Sequence, residues 1–145
     1  VKIADILRHK SADGRAEVVT IAPSENVSAL IAALAEHNVG ALVVCADDEV
    51  VGIVSERDVV RKIADRGAEL LTAQVEQIMS TSVVSTASSD SVDSVAETMT
   101  QRRIRHMPVI DEGKLVGIVS IGDVVSSQIR QLEADRGQLE QYIVS

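Results

Sequence analysis

The stretch VGIVSERDVV (residues 51–60) returns as VGIVSIGDVV (residues 116–125), with eight of the ten positions unchanged across a displacement of 65 residues. Extending the same displacement outward lays residues 18–60 over 83–125 without a gap, and 14 of those 43 positions are identical. A repeat this long makes two homologous halves the economical description, and each motif must then be read twice. Asn26 and Ser91 both stand before an apolar helical pattern as candidate N-caps, and Asp47 and Glu112 both fall between two strand-like runs.

Each half predicts the same order. A short strand (VVTI, residues 18–21) precedes a helix with apolar residues at Val27, Leu30, Ile31 and Leu34, matched by Val92, Val95, Ala96 and Met99. Two strands follow, ALVVC and VVGIV in the first half, HMPVI and LVGIV in the second. The second pair is joined by Asp111, Glu112, Gly113 and Lys114, a turn-forming composition. A second helix begins near Ser55 or Ser120. The expected class is α/β (α+β), the β-α-β-β-α order twice over.

The flanks are less regular. Ile3, Ile6 and Leu7 resemble Val75, Ile78 and Met79 as lead-ins, with a longer connection, HKSADGRAE, before the first repeat's strand. The division expected from sequence is 1–67 for the first repeat with its lead-in, 68–126 for the second, and 127–145 for a helical tail. The tail carries a stripe of Ile129, Leu132, Leu139 and Ile143, interrupted by Gly137, which costs about 1 kcal/mol relative to Ala inside a helix. Packing on a partner chain and folding back over its own module are both open.

Composition narrows the function. The 145 residues hold 23 Val and 13 Ile but one Tyr and neither Phe nor Trp, so the core is aliphatic and base-stacking platforms for single-stranded nucleic acid are absent. A net charge of −8 argues against general affinity for a phosphate backbone, so no nucleic-acid partner is expected. The longest apolar run, residues 29–35, is far short of a bilayer span, and no membrane partner is expected. Cys45 is the single cysteine, which excludes an internal disulfide framework, and a cytoplasmic setting fits. Cys45 reads as a small strand residue, and His9 and His37 lack companions at metal-ligand spacing, so neither a metal nor a required cofactor is expected. Phosphate-loop and dinucleotide glycine patterns are missing, and nothing assembles a nucleophile, base and oxyanion site. The chain reads as a binder, not an enzyme.

The tetrapeptides at Ser55–Asp58 and Ser120–Asp123 each follow a Gly-Ile-Val strand. A Ser N-cap with an acidic residue three positions on is a capping box, which accounts for both residues structurally. A carboxylate on the first helical turn can also accept hydrogen bonds from ribose hydroxyls, and a helix N-terminus favours an anionic ligand. One Ser and one Asp can serve both roles.

The duplicated GIVSxxDVV block, the segment RHMPVID (residues 105–111) and the 65-residue repeat resemble a tandem pair of cystathionine-β-synthase (CBS) domains, a Bateman module. The resemblance covers about residues 4–126 and implies a pseudo-twofold module of two β-α-β-β-α repeats packed through their sheets, which binds adenosine derivatives such as AMP, ADP, ATP or S-adenosylmethionine and regulates a partner protein. Carried over residue by residue, it implies one site from Ile118, Ser120 and Asp123 with Val19, Val39 and Ala41. The second would use Ile53, Ser55 and Asp58 with Thr81, Val84 and Ile104. The Asp and Ser residues would bind ribose and the aliphatic residues the base, with Arg57, Arg105 and His106 on the phosphates. Arg102 and Arg103 read as a solvated helix face. The expected assembly is a homodimer, a four-repeat disc, and the expected role is a stand-alone regulatory module. The alternative is a ligand-independent dimerisation or scaffold module in which Ser55 and Ser120 only cap helices.

Overall fold

In the computed structural model, residues 1–14 and 18–144 are described; the end of the HKSADGRAE connection, residues 15–17, lies outside them. The elements run α1 (Ile3–Ala12), β1 (Thr20–Ile21), α2 (Val27–His37), β2 (Ala41–Ala46), β3 (Glu49–Ser55), α3 (Glu56–Arg66), α4 (Val92–Arg102), β4 (His106–Asp111), β5 (Lys114–Ser120) and α5 (Ile121–Val144). Two 3-10 turns, Gly67–Thr72 and Val75–Gln77, follow α3. The contacts group these into two units, Val18–Val84 and a discontinuous one of Val1–Glu17 with Ser85–Ser145.

In the contiguous unit, β1 pairs parallel to β2, and β2 pairs antiparallel to β3. The β2–β3 turn places Asp47 and Asp48 at φ 51° and 65°, the left-handed pair of a two-residue hairpin whose twist matches the strands. The apolar spacing expected for α2 buries Val27, Leu30 and Leu34 against Leu42, Val44 and Val54 of the sheet. Leu70, Val75 and Ile78, from the segment after α3, complete that core.

The discontinuous unit repeats this plan with one difference. Strands β4 and β5 form the equivalent hairpin, with Glu112 and Gly113 at φ 50° and 77°, but the strand expected at residues 83–86 shrinks to a single parallel bridge, Thr86 with Val109. Pro108 explains the loss. It aligns with Val43, which pairs with Thr20 in the first repeat, and a proline has no N–H with which to continue the ladder. Side chains secure the shortened segment instead: Thr86 Oγ1 donates to Asp90 Oδ2 (2.7 Å), and Ser88 Oγ donates to Asp111 Oδ2 (2.6 Å).

The lead-ins are exchanged. Lys2 bridges to Ser91, the N-cap of α4, while its counterpart Gln74 bridges to Asn26, the N-cap of α2. Ile3 and Ile6 are buried in the unit containing the second repeat, as Val75 and Ile78 are in the unit containing the first. The repeats are units of sequence, whereas each unit of packing takes its lead-in from the other repeat.

The tail is one helix with what precedes it. α5 runs without a break from Ile121 through Gly137, and Val124 and Ser127 bury its first turns. From Gln131 to Ile143 every side chain is exposed, with only Gly137 half-buried.

Candidate functional site

Two helix starts carry the residues singled out by sequence, one in each unit. In the contiguous unit, β3 ends on Ser55, opposite Ala41, and the Glu56 N–H donates to the Gly40 carbonyl (2.9 Å), turning the chain directly into α3. The capping box is complete: Asp58 N–H donates to Ser55 Oγ (3.2 Å), and Asp58 Oδ2 accepts from the Ser55 N–H (2.8 Å) and its hydroxyl (3.0 Å). Among the described residues nothing donates to Asp58 Oδ1, and no cation pairs with this half-buried carboxylate. Ile53 exchanges backbone hydrogen bonds with Ser80, bringing the neighbouring Thr81 toward the same strand. Thr81 and Val39 are exposed, Val19 and Val84 half-buried, and Ala41 buried. Arg57 is exposed on the first turn of α3, with no ion-pair partner among the described residues.

The discontinuous unit builds the same turn with different surroundings. Ser120 lies opposite His106, and the Ile121 N–H donates to the Arg105 carbonyl (2.8 Å). Asp123 accepts from the Ser120 N–H at Oδ2 (2.9 Å), while its own N–H donates to Ser120 Oγ (3.1 Å). The addition is Lys10. Its ammonium donates to Asp123 Oδ2 and to the Ile118 carbonyl, both at 2.9 Å. Burial opposes ionisation of Asp123, but the Ser120 N–H and the Lys10 ammonium outweigh it and hold the carboxyl below its usual range. A cavity of about 360 Å³ opens here, lined by His9, Lys10, Ser120, Asp123, Ser126 and Arg130 among others. Ile104 and Ile118 are half-buried, His106 is half-buried, and Arg105 is exposed.

Lys10, His9 and Arg130 were not legible as site residues. Lys10 is 113 positions from Asp123, and the second lead-in has no counterpart lysine: its equivalent position is Ser82. Arg102 and Arg103 are exposed, as expected of a solvated face, and Arg103 ends α4 at φ 55°. Cys45 is half-buried in β2, and burial, with the nearby Asp48 charge, pushes its thiol pKa up, the opposite of an activated nucleophile. Among the described residues no cluster of three metal-ligating side chains occurs, and no helix is long and apolar enough to cross a membrane.

Comparison with known proteins agrees with the repeat. The chain matches the CBS domain family twice, over residues 3–65 and 75–130. It is 32% identical over 146 residues to the CBS domain-containing protein CBSX3, mitochondrial, of Arabidopsis thaliana, an alignment covering 97% of this chain and 71% of that protein. The fold matches a protein with CBS domains from Burkholderia ambifaria at a TM-score of 0.84 and 38% identity, covering 90% of this chain and 95% of the other. It also matches the CBS domain pair of protein MJ0100, solved in complex with 5′-methylthioadenosine and S-adenosyl-L-methionine, at a TM-score of 0.77 and 24% identity. That alignment covers 90% of this chain and 98% of the other. Two GIVSxxD helix starts, a 65-residue repeat, exchanged lead-ins and two family matches lead to one conclusion: this chain belongs to the CBS domain family and carries the domain as a tandem pair.

Proposed function

We propose that the chain is a regulatory module that takes an adenosine-containing ligand of the AMP, ADP, ATP or S-adenosylmethionine type. The observation that carries this reading is the Asp58 carboxylate. Its Oδ2 is occupied by the Ser55 cap, its Oδ1 accepts nothing from the described residues, and it stands on the first turn of a helix whose N–H groups favour anions. A ribose diol is a fitting donor for that oxygen. Ser55 would position Asp58, Arg57 would meet phosphate, and Ile53 with Val84 would contact the base. Ser120, Asp123, Arg105, His106 and Ile118 are the equivalent set in the other unit, where Lys10 and Arg130 add positive charge and His9 lines the same cavity. The MJ0100 pair supports the ligand class only through its fold.

The capping boxes favour a second reading, because they account for both Ser–Asp pairs without a ligand. In that reading the chain is a ligand-independent scaffold acting on a partner protein. In either, the module associates with a second copy as a homodimer.

Calorimetry of the full chain against AMP, ADP, ATP, S-adenosylmethionine and NADH separates the two. Binding that is abolished by Asp58→Ala and weakened less by Asp123→Ala supports the ligand reading, since a ribose at Asp123 must compete with Lys10. No heat from any of these at millimolar concentration overturns it.

A further inference from the structure

We propose that α5 pairs antiparallel with α5 of a second copy, along a seam of Val125, Ile129, Leu132, Arg136, Leu139 and Ile143. This deepens the homodimer reading above by naming the surface and its orientation. The seam residues follow one another in alternating steps of four and three, the spacing of a coiled-coil stripe, and the five apolar ones are 44% to 80% exposed. The stripe is not the face the helix turns to its own unit, which is marked by the buried Val124 and Ser127.

The pattern is complementary to itself when reversed. Centred on Ala134, an antiparallel pair sets Val125 against Ile143, Ile129 against Leu139, and Leu132 against Arg136, each contact occurring twice about the twofold axis. Charge selects the same orientation. Glu133, Asp135 and Glu140 flank the stripe, and the antiparallel register brings each Arg136 beside Glu133 of the other copy, two attractive contacts against the single approach of Asp135 to Asp135 beside the axis. A parallel in-register pair stacks Arg136 on Arg136 and sets Asp135 against Glu140, two repulsive contacts. Arg136 now bonds Glu140 within its own helix (3.1 Å), and because both are well exposed that pair yields readily. A polar residue at one seam position fixes register at some expense of affinity.

Sedimentation of the full chain and of Ile129→Glu/Leu139→Glu, which sets Glu against Glu across the seam, tests the surface. Both residues are exposed, so the variant keeps its fold, checked by circular dichroism, and its dimer dissociates at least a hundredfold more readily. A wild-type monomer at high micromolar concentration overturns both the pairing and the seam. A dimer that persists unweakened in the variant overturns the seam alone. Orientation is read by thiol cross-linking in a Cys45→Ala background: Val125→Cys mixed with Ile143→Cys gives the heterospecific product, and neither alone cross-links. Efficient Val125→Cys self-cross-linking overturns the antiparallel arrangement.

Discussion

Lys10 and Asp123, 113 residues apart, meet at 2.9 Å with side chains only 14% and 10% exposed. The carboxylate lies at the start of α5 and the ammonium near the end of α1, so the pair ties the first helix to the last within one unit. Truncating one partner leaves the other's charge largely out of water. Lys10→Ala is expected to cost about 3 kcal/mol in denaturant unfolding, whereas Arg8→Ala, which breaks the exposed Arg8–Asp5 pair, leaves unfolding nearly unchanged.

The same carboxylate sets a pH dependence. Because the folded state holds the Asp123 pKa below its ordinary value of 3.8, its contribution is complete above the usual carboxylate range and is lost as pH falls through that value toward the lower folded one. Asp123→Asn removes this dependence. Wild type should therefore lose stability more steeply than Asp123→Asn between about pH 5 and pH 3 in parallel urea titrations; parallel curves would contradict the assignment.

Glycines at equivalent places in the two repeats should respond unequally to a methyl group. A Cβ on Gly52 would lie 2.6 Å from Met79 Sδ and 2.9 Å from the Ser80 carbonyl oxygen, and that backbone is fixed by its hydrogen bonds to Ile53. A Cβ on Gly117 meets only the end of the Leu7 side chain, at 2.7 Å. Gly52→Ala is expected to destabilise by about 3 kcal/mol and Gly117→Ala by about 1 kcal/mol. Thermal melts order them, and Leu7→Ala combined with Gly117→Ala should show a coupling that Leu7→Ala with Gly52→Ala does not.

The caps have a smaller, testable share. Ser55→Ala and Ser120→Ala each remove an acceptor for an N–H of the first helical turn and should cost about 1 kcal/mol, with Thr at either position recovering most of it. A ligand contact made by the same hydroxyl would add a loss of affinity that Thr does not necessarily restore, so melts and calorimetry on the same variants separate the two roles.

Gly137 sits in a helix with nothing within 4 Å of where its Cβ would be. Gly137→Ala should favour the helix by about 1 kcal/mol, roughly a fivefold slowing of amide exchange over the last turns of α5. Unchanged exchange would mean those turns are already held by something other than propensity.

The repeat carried most of the fold. A 65-residue displacement located both hairpins, both capped helix starts and the apolar stripes of α2 and α4, because each rests on local periodicity and turn chemistry. What local pattern does not encode is which repeat a lead-in joins. Ile3 and Val75 look alike in sequence, and nothing near either one records that it is buried with the other repeat. Pro108 was visible, but its effect on the first strand of its repeat depends on a pairing partner over twenty residues away. The site divides the same way. Ser55, Asp58, Ser120 and Asp123 declare themselves by their spacing, whereas Lys10 acquires its role only through a contact made by folding.

Exchanged lead-ins also impose an order on synthesis. Residues 18–84 are contiguous, so this unit has all its strands and its borrowed segment once Val84 has left the ribosome. The other unit does not: α1 is made first, yet its partners Asp90, Gly117, Ile118 and Asp123 are made last. Its apolar face, Ile3 and Ile6, must wait while most of the chain is translated, some ten seconds at typical elongation rates of about 5–20 residues per second. During that interval the first helix is a newly made segment without its binding surface, and it depends on whatever shields nascent chains until the last strand arrives.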